Sequence, residues 1–154
     1  MTLQNIVNDL GEINLNEILN EVKFLLTPEI SNSYKKIEED WPLDKSNNVF
    51  LQKGKDPTFD LPNLNYLFAK FNMSTSRLMC LHPQTCYTIH TDVSPRIHFP
   101  LITSDKCLFV VNDEVYRLNA GRAYCVDTTK THTALNGEKE LLRYHIVGLV
   151  NEMV

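Results

Sequence analysis

Apolar residues recur at helical spacing early in the chain and at strand spacing after about residue 75. Leu15, Ile18, Leu19, Val22, Leu25 and Leu26 fall on one side of a helix, and Pro28 ends it. "SNSYKKIEEDW" repeats the pattern more weakly, with Tyr34, Ile37 and Trp41 together and Pro42 as the stop. Residues 42–62 contain Pro42, Gly54, Pro57 and Pro62 and read as loop, with a short strand near Val49 to Gln52. "NLNYLFAKF" predicts a third helix with Leu64, Leu67, Phe68 and Phe71 inward. Beyond it, strands are expected at 77–82, 86–92, 96–102, 107–112, 114–118, 122–127, 131–135 and 141–150. Asn112-Asp113, Asn119-Ala120-Gly121 and Asn136-Gly137 punctuate them as turns. Short strands behind a helical start predict a mainly β fold, a jelly roll or double-stranded β-helix with the N-terminal helices packed on one sheet. The simplest partition is a single domain over 1–154, with 1–75 as helical support and 76–150 as the jelly-roll core.

Alternation along the strands separates two kinds of face. In 86–92, Cys86, Thr88, His90 and Asp92 share one face and Tyr87, Ile89 and Thr91 the other. In 96–102, Arg96, His98 and Pro100 oppose Ile97, Phe99 and Leu101. In 141–147, Arg143, His145 and Val147 oppose Leu142, Tyr144 and Ile146. A polar face usually meets water. Solvated faces favour Lys, Glu, Thr and Ser, however, and these hold His, Asp and Arg with no Lys or Glu. Such residues bind metals and carboxylates, and the inside of a jelly roll that holds a ligand calls for such a lining.

The bulk properties narrow the function classes. With 154 residues, 43% hydrophobic, the chain is long enough to bury a core. A net charge of −4 and no basic run longer than Lys53-Gly54-Lys55 argue against nucleic acid as a partner. The start, Met-Thr-Leu-Gln-Asn, lacks a basic region followed by an apolar stretch, and no apolar run reaches membrane-spanning length. A cytoplasmic protein without a membrane partner is expected. Cys80, Cys86, Cys107 and Cys125 are separated by 6, 21 and 18 residues. That spacing fits neither a zinc knuckle nor a redox pair, so they read as small apolar side chains in a reducing compartment.

His90 and Asp92 at i and i+2 can reach one ion from one strand, and His132, after "RAYCVD" and a polar turn, offers a third donor. Two histidines and one carboxylate form the facial triad of non-haem Fe(II) enzymes, which leaves coordination positions open. Zinc accepts the same set. Arg143 follows His132 by 11 residues on an ionisable strand face. An inward arginine requires an anionic partner, either a protein acid or a ligand carboxylate. Arg77, at the start of the first core strand, fits a surface ion pair or a contact to a substrate carboxylate.

"HTDVSPRIHFPLIT", "GRAYCVDTTKTHTALN" and "LLRYHIVGLV" together resemble the aspartyl/asparaginyl β-hydroxylase family of Fe(II)- and 2-oxoglutarate-dependent oxygenases, which includes bacterial proline hydroxylases. The shared order is H-x-D, R-x-H-x-P-L, G-x-A-Y, H-x-x-x-N and R-x-H-x-V, over residues 77–150. The resemblance implies that His90, Asp92 and His132 hold Fe(II) and that Arg143 grips the distal carboxylate of 2-oxoglutarate. Arg96 and His98 would line the cosubstrate pocket or orient its ligands; His145 receives no assigned role. It implies a dioxygenase that consumes 2-oxoglutarate and dioxygen, releases succinate and CO2, and hydroxylates an amino acid or a peptidyl side chain of Asp, Asn or Pro type. The partner expected is therefore a small molecule or peptide.

Two other readings stand beside this one. His132 to Asn136 also fits the last motif of a cupin, a metal-binding isomerase or small-molecule sensor that does not use 2-oxoglutarate. A cupin's first motif, however, is H-x-H followed by a Glu, whereas the nearest downstream acid of that type here is Glu114. The second is a binding protein that keeps the sheet without the chemistry, which leaves the triad and Arg143 to coincidence.

Overall fold

The computed structural model describes residues 5–26 and 46–151. Pro28 and the weaker helix predicted over "SNSYKKIEEDW" lie outside these residues. The elements are β1 (Val7–Glu12), α1 (Leu15–Val22, running into a 3-10 turn at Lys23–Leu25), β2 (Ser46–Phe50), β3 (Gln52–Lys53), β4 (Asp56–Pro57) and α2 (Pro62–Lys70). They continue as β5 (Met73–Leu81), β6 (Thr85–Cys86), β7 (Arg96–Ile102), β8 (Cys107–Val111), β9 (Glu114–Tyr116), β10 (Arg122–Val126), β11 (His132–Asn136) and β12 (Arg143–Val150).

The strands form a jelly roll. A six-stranded sheet has the order β1-β10-β7-β12-β5-β2 and a four-stranded sheet the order β6-β11-β8-β9. The pairing is antiparallel throughout, so each strand keeps one face inward and one outward.

Two apolar clusters follow from that division. On the outer face of the large sheet, Ile97, Phe99, Leu101, Tyr144 and Ile146 pack with Ile18 and Val22 of α1 and Leu64 and Phe68 of α2. The Phe68 and Phe99 rings stack at 6.4 Å. Between the sheets, Leu81, Tyr124 and Val126 meet Tyr87, Phe109, Val111 and Ala134. The helices are locally encoded. Asn14 caps α1 by accepting from the Glu17 N–H at 3.2 Å, and Pro62 opens α2. Glu21 of α1 accepts from the backbone N–H groups of Asn63 and Leu64 at 2.8 and 2.9 Å, which satisfies the α2 N-terminus with a negative charge. Among the described residues no helix is long and apolar enough to cross a membrane.

The reading of residues 1–75 as helical support requires correction. β1 and β2 are the two edge strands of the large sheet. β1 hides its character because the register shifts between Asp9 and Gly11, with Gly11 at φ +108°, so no clean alternation appears. β2 covers Ser46–Phe50, earlier than the strand expected near Val49 to Gln52; its pairing with β5, Val49 opposite Leu78, overrides a weak local signal. The cysteines are free, with Cys80, Cys107 and Cys125 buried and Cys86 exposed.

One close approach locks β12 to β5. The register shifts between Val147 and Leu149, and a Cβ on Gly148 would lie 2.3 Å from Ser76 Oγ and 2.7 Å from Met73 Cε. Ser76 Oγ is already committed, donating to Gln52 Oε1 at 2.6 Å. Gly148→Ala is therefore expected to destabilise the fold by about 2 kcal/mol in urea unfolding. An unchanged midpoint would show that this contact is not close-packed.

Candidate metal centre

The site is built where β6 and β11 lose register. Cys86 pairs with Leu135, and the next N–H, Tyr87, donates to Ala134 O at 3.0 Å. Further along, His90 N donates to His132 O at 3.1 Å and His132 N to His90 O at 2.9 Å, an isolated bridge. Tyr87 to His90 spans one residue more than Ala134 to His132, which is a bulge. The extra residue restores the inward direction, so Tyr87 and His90 both face the interior while Ile89 is 68% exposed. The uniform strand expected over 86–92, with Cys86, Thr88, His90 and Asp92 on one face, is thus corrected. Regular pairing ends at Cys86, and that residue is exposed.

His132 opens β11, where alternation turns His132, Ala134 and Asn136 inward. Asp92 is pinned by its own N–H, which donates to Thr128 O at 2.8 Å in the turn before β11. Three donors converge as a result. His90 Nε2 lies 3.6 Å from Asp92 Oδ1 and His132 Nε2 3.5 Å from Asp92 Oδ2. One ligand atom from each residue falls within 4.8 Å of the others.

The proton positions suit a metal. His90 Nδ1 contacts Thr88 O at 2.5 Å and His132 Nδ1 contacts Lys130 O at 2.9 Å. A carbonyl oxygen only accepts, so both Nδ1 atoms carry hydrogen, and a neutral ring then presents a bare Nε2 to Asp92. Burial holds His132 below its usual pKa, which favours that neutral form. Two imidazole lone pairs and one carboxylate are a donor set for a divalent cation of the iron or zinc type.

Arg96 lies beside this group, with Nε 3.8 Å from Asp92 Oδ2. Its guanidinium is tied back by donation to Ser94 O at 2.6 Å and Ser94 Oγ at 2.7 Å. His98 sits one layer behind, edge-on to Phe109 at 5.1 Å, and Phe109 stacks on His132 at 6.0 Å. Arg143 is 3% exposed. Its Nη2 donates to Tyr87 Oη at 3.4 Å, and its Nε is buried without a partner. Among the described residues no carboxylate forms an ion pair with it. A small recess, with room for about one water, adjoins it and is lined by Phe109, Leu118, Arg143 and His145. A buried cation without an acid is expensive; the Tyr87 ring, its centre 5.7 Å from the guanidinium carbon, offsets part of that cost, and an anionic ligand would offset more.

His90, Asp92 and His132 therefore come together, Arg96 touches Asp92, and His98 and Arg143 stand apart from the triad within the same interior. Arg77 is half-buried, its guanidinium carbon 5.7 Å from the Phe50 ring centre. The sequence pattern missed Tyr87 and Phe109. Tyr87 was assigned to the wrong face because the bulge cannot be seen without β11; Phe109 was legible only as an inward strand residue.

The class that the fold and interior define is a jelly roll carrying a candidate His-Asp-His metal site. The aspartyl/asparaginyl β-hydroxylase family model matches residues 13–148, and the chain belongs to that family. A prolyl hydroxylase from Trichoplax adhaerens, solved with a hypoxia inducible factor oxygen degradation domain peptide fragment, superposes with a TM-score of 0.68 at 10% identity, covering 96% of this chain and 84% of that one. A prolyl-4-hydroxylase from Pseudomonas putida gives 0.69 at 8% identity, with 95% and 92% covered. A cupin-like protein from Thermotoga maritima gives 0.50 at 14% identity, with 76% and 77% covered. At these identities the likeness is one of fold. No curated protein sequence matches the chain.

The interior histidines set a pH dependence. Burial, reinforced by the Arg143 charge, pushes His98 from 6.5 down to about 3 and holds His145 well below 6.5. Unfolded, both bind protons near 6.5; folded, neither does until far lower pH. The stability they permit is full above 6.5 and is lost as pH falls toward 3. Thermal midpoints should decline from about pH 7 to about pH 5, approaching roughly 1 kcal/mol per pH unit for each ring. A flat profile would contradict neutral burial of the two rings.

Proposed function

We propose that the chain is an Fe(II)- and 2-oxoglutarate-dependent dioxygenase that hydroxylates an unactivated C–H bond of an amino acid or of a peptidyl side chain of Asp, Asn or Pro type. The observation that carries this reading is the pairing of two features in one interior: three convergent metal donors, and a buried Arg143 that has no acid among the described residues. Family membership is the independent support.

With iron and 2-oxoglutarate bound, the pair supplies oxidative decarboxylation of the keto acid by dioxygen, yielding succinate, CO2 and the oxygen placed on the substrate. The chain's own part is positional. His90, Asp92 and His132 hold the ion through one carboxylate and two neutral imidazoles and leave its other positions free. The Thr88 and Lys130 carbonyls keep both rings in the ligating tautomer. Arg143 receives the distal carboxylate through its fork of N–H donors, which relieves the unpartnered Nε. Arg96 balances the Asp92 charge at the mouth. Phe109, Leu118 and Tyr87 supply apolar walls that keep bulk water from the anion.

Succinate release from 2-oxoglutarate, assayed with Fe(II), ascorbate, air and a panel of amino acids and short peptides, tests the reading. His132→Ala should abolish it while the melting temperature stays close to wild type, because one of three donors is gone. Surviving turnover would remove His132 from the centre. Arg143→Met keeps the side-chain stem and removes the cation, and should raise the 2-oxoglutarate KM at least about tenfold without weakening metal binding. An unchanged KM would take Arg143 out of the cosubstrate site. A protein that binds metal but neither binds nor consumes 2-oxoglutarate would be a metal site of the cupin kind.

A further inference from the structure

A cleft separate from the metal centre opens on the helix-covered side of the large sheet. One wall is α2 and its exit, where Asn65, Phe68, Ala69 and Asn72 fall at i, i+3, i+4 and i+7 and form a single stripe. The β3–β4 hairpin is the other wall and supplies Lys55 and Pro57. Gln52 and Met73, both buried, close the floor. Ala69 is exposed and small, so the helix wall leaves a gap that a longer side chain would fill. The space is about 290 Å³. One bound water needs roughly 15 Å³, so the cleft stands at the lower end of small-molecule sites.

The cleft is held open by its own frame. Thr75 N donates to Gly54 O at 2.7 Å and Leu51 N to Ser76 O at 2.8 Å, which ties the hairpin to β5. Gln52 commits its whole amide: Nε2 donates to Met73 O at 3.2 Å, and Oε1 accepts from Ser76 Oγ at 2.6 Å. The floor is therefore apolar in effect, and polarity is left to the rim. There Lys55 Nζ reaches across to donate to Asn72 Oδ1 at 3.1 Å. Among the described residues Lys55 is the one ionisable group lining the cleft. An ammonium has three donors, and a neutral amide leaves its charge uncompensated. The last turn of α2 does little to oppose an anion there, because the Leu67 and Ala69 carbonyls already accept from the Phe71 and Asn72 N–H groups. A cation at the rim of an apolar floor selects an anionic head on an apolar body.

We propose that this cleft binds a small organic carboxylate with an apolar body, its carboxylate at Lys55 and its body against Phe68, Ala69 and Met73. The proposal does not rest on the oxygenase reading, since the cleft shares no residue with the metal donors or the Arg143 recess.

Methyl NMR of the Zn(II)-loaded full chain tests it, because β5 places Met73 in the outer apolar cluster and Met79 in the inner one. The probes are phenylacetate, its uncharged amide phenylacetamide, and acetate, which lacks the body. Phenylacetate should shift the Met73 methyl saturably at up to about 10 mM and leave Met79 in place. Phenylacetamide and acetate should each bind at least about fivefold more weakly. Lys55→Met keeps the stem and removes the charge, and should weaken phenylacetate about fivefold while leaving phenylacetamide unchanged. Ala69→Leu should fill the gap and abolish the shift at an unchanged melting temperature. No saturable Met73 shift, equal affinity for acid and amide, or full phenylacetate affinity in either variant overturns the proposal. A shift confined to Met79 puts the acid at the metal and overturns it as well. Failure of the wild-type protein to bind 2-oxoglutarate would end the oxygenase reading and leave the Met73 result as the judge of the cleft.

Discussion

Two backbone hydrogen bonds, one in each direction between His90 and His132, are the constraint from which the rest of the site follows. They join segments from the two ends of the core through an isolated bridge, directly after a bulge has rotated the chain by one residue. Without that extra residue, Tyr87 and His90 would fall on opposite faces, and a ring would be lost from either the wall or the centre. The same bridge sets the rings 4.3 Å apart, close enough to share one ion. Asp92 then needs only its own anchor to Thr128 to complete the group.

The large sheet separates two kinds of work. Its outer face is closed by α1 and α2 over an apolar cluster, and the sheet edges are extended by β1 and β2. Its inner face carries Arg96, His98, Arg143 and His145, groups that a purely structural core would exclude. Rigidity on one side makes that polarity tolerable on the other. Gly148, pressed against Ser76, and Asn136, whose amide donates to the Leu81 and Leu141 carbonyls, hold β12 where its arginine and histidine must lie. On that inner face, Arg143 Nε and His98 Nε2 are buried without a hydrogen-bond partner.

Much of this was legible in the residues themselves. Alternation in "RIHFPLI" identified β7 and its two faces as far as Leu101, because Ile97, Phe99 and Leu101 pack in the outer cluster; the register shift opposite Tyr144 and His145 was not legible. Residue types, more than spacing, marked the inner face as a site, since no solvated face would omit Lys and Glu. The bulge between Tyr87 and His90 was not legible, because it exists only in register with β11. β1 was hidden by Gly11 and by an edge position that demands little of its side chains. The contact between the His98 and His145 rings depends on register across neighbouring strands, His145 opposite Pro100 and His98 opposite Val147, which no local pattern encodes.

Anaerobic titration of 2-oxoglutarate into the Fe(II)-loaded protein, followed by visible absorption, tests the central claim most directly. A keto acid chelating protein-held iron produces a metal-to-ligand charge-transfer band that neither component shows alone. A saturable band at one equivalent in wild type, absent in His132→Ala and shifted to higher 2-oxoglutarate concentration in Arg143→Met, is the result expected. Iron binding with no band at any 2-oxoglutarate concentration would contradict the account and leave a metal site of another kind.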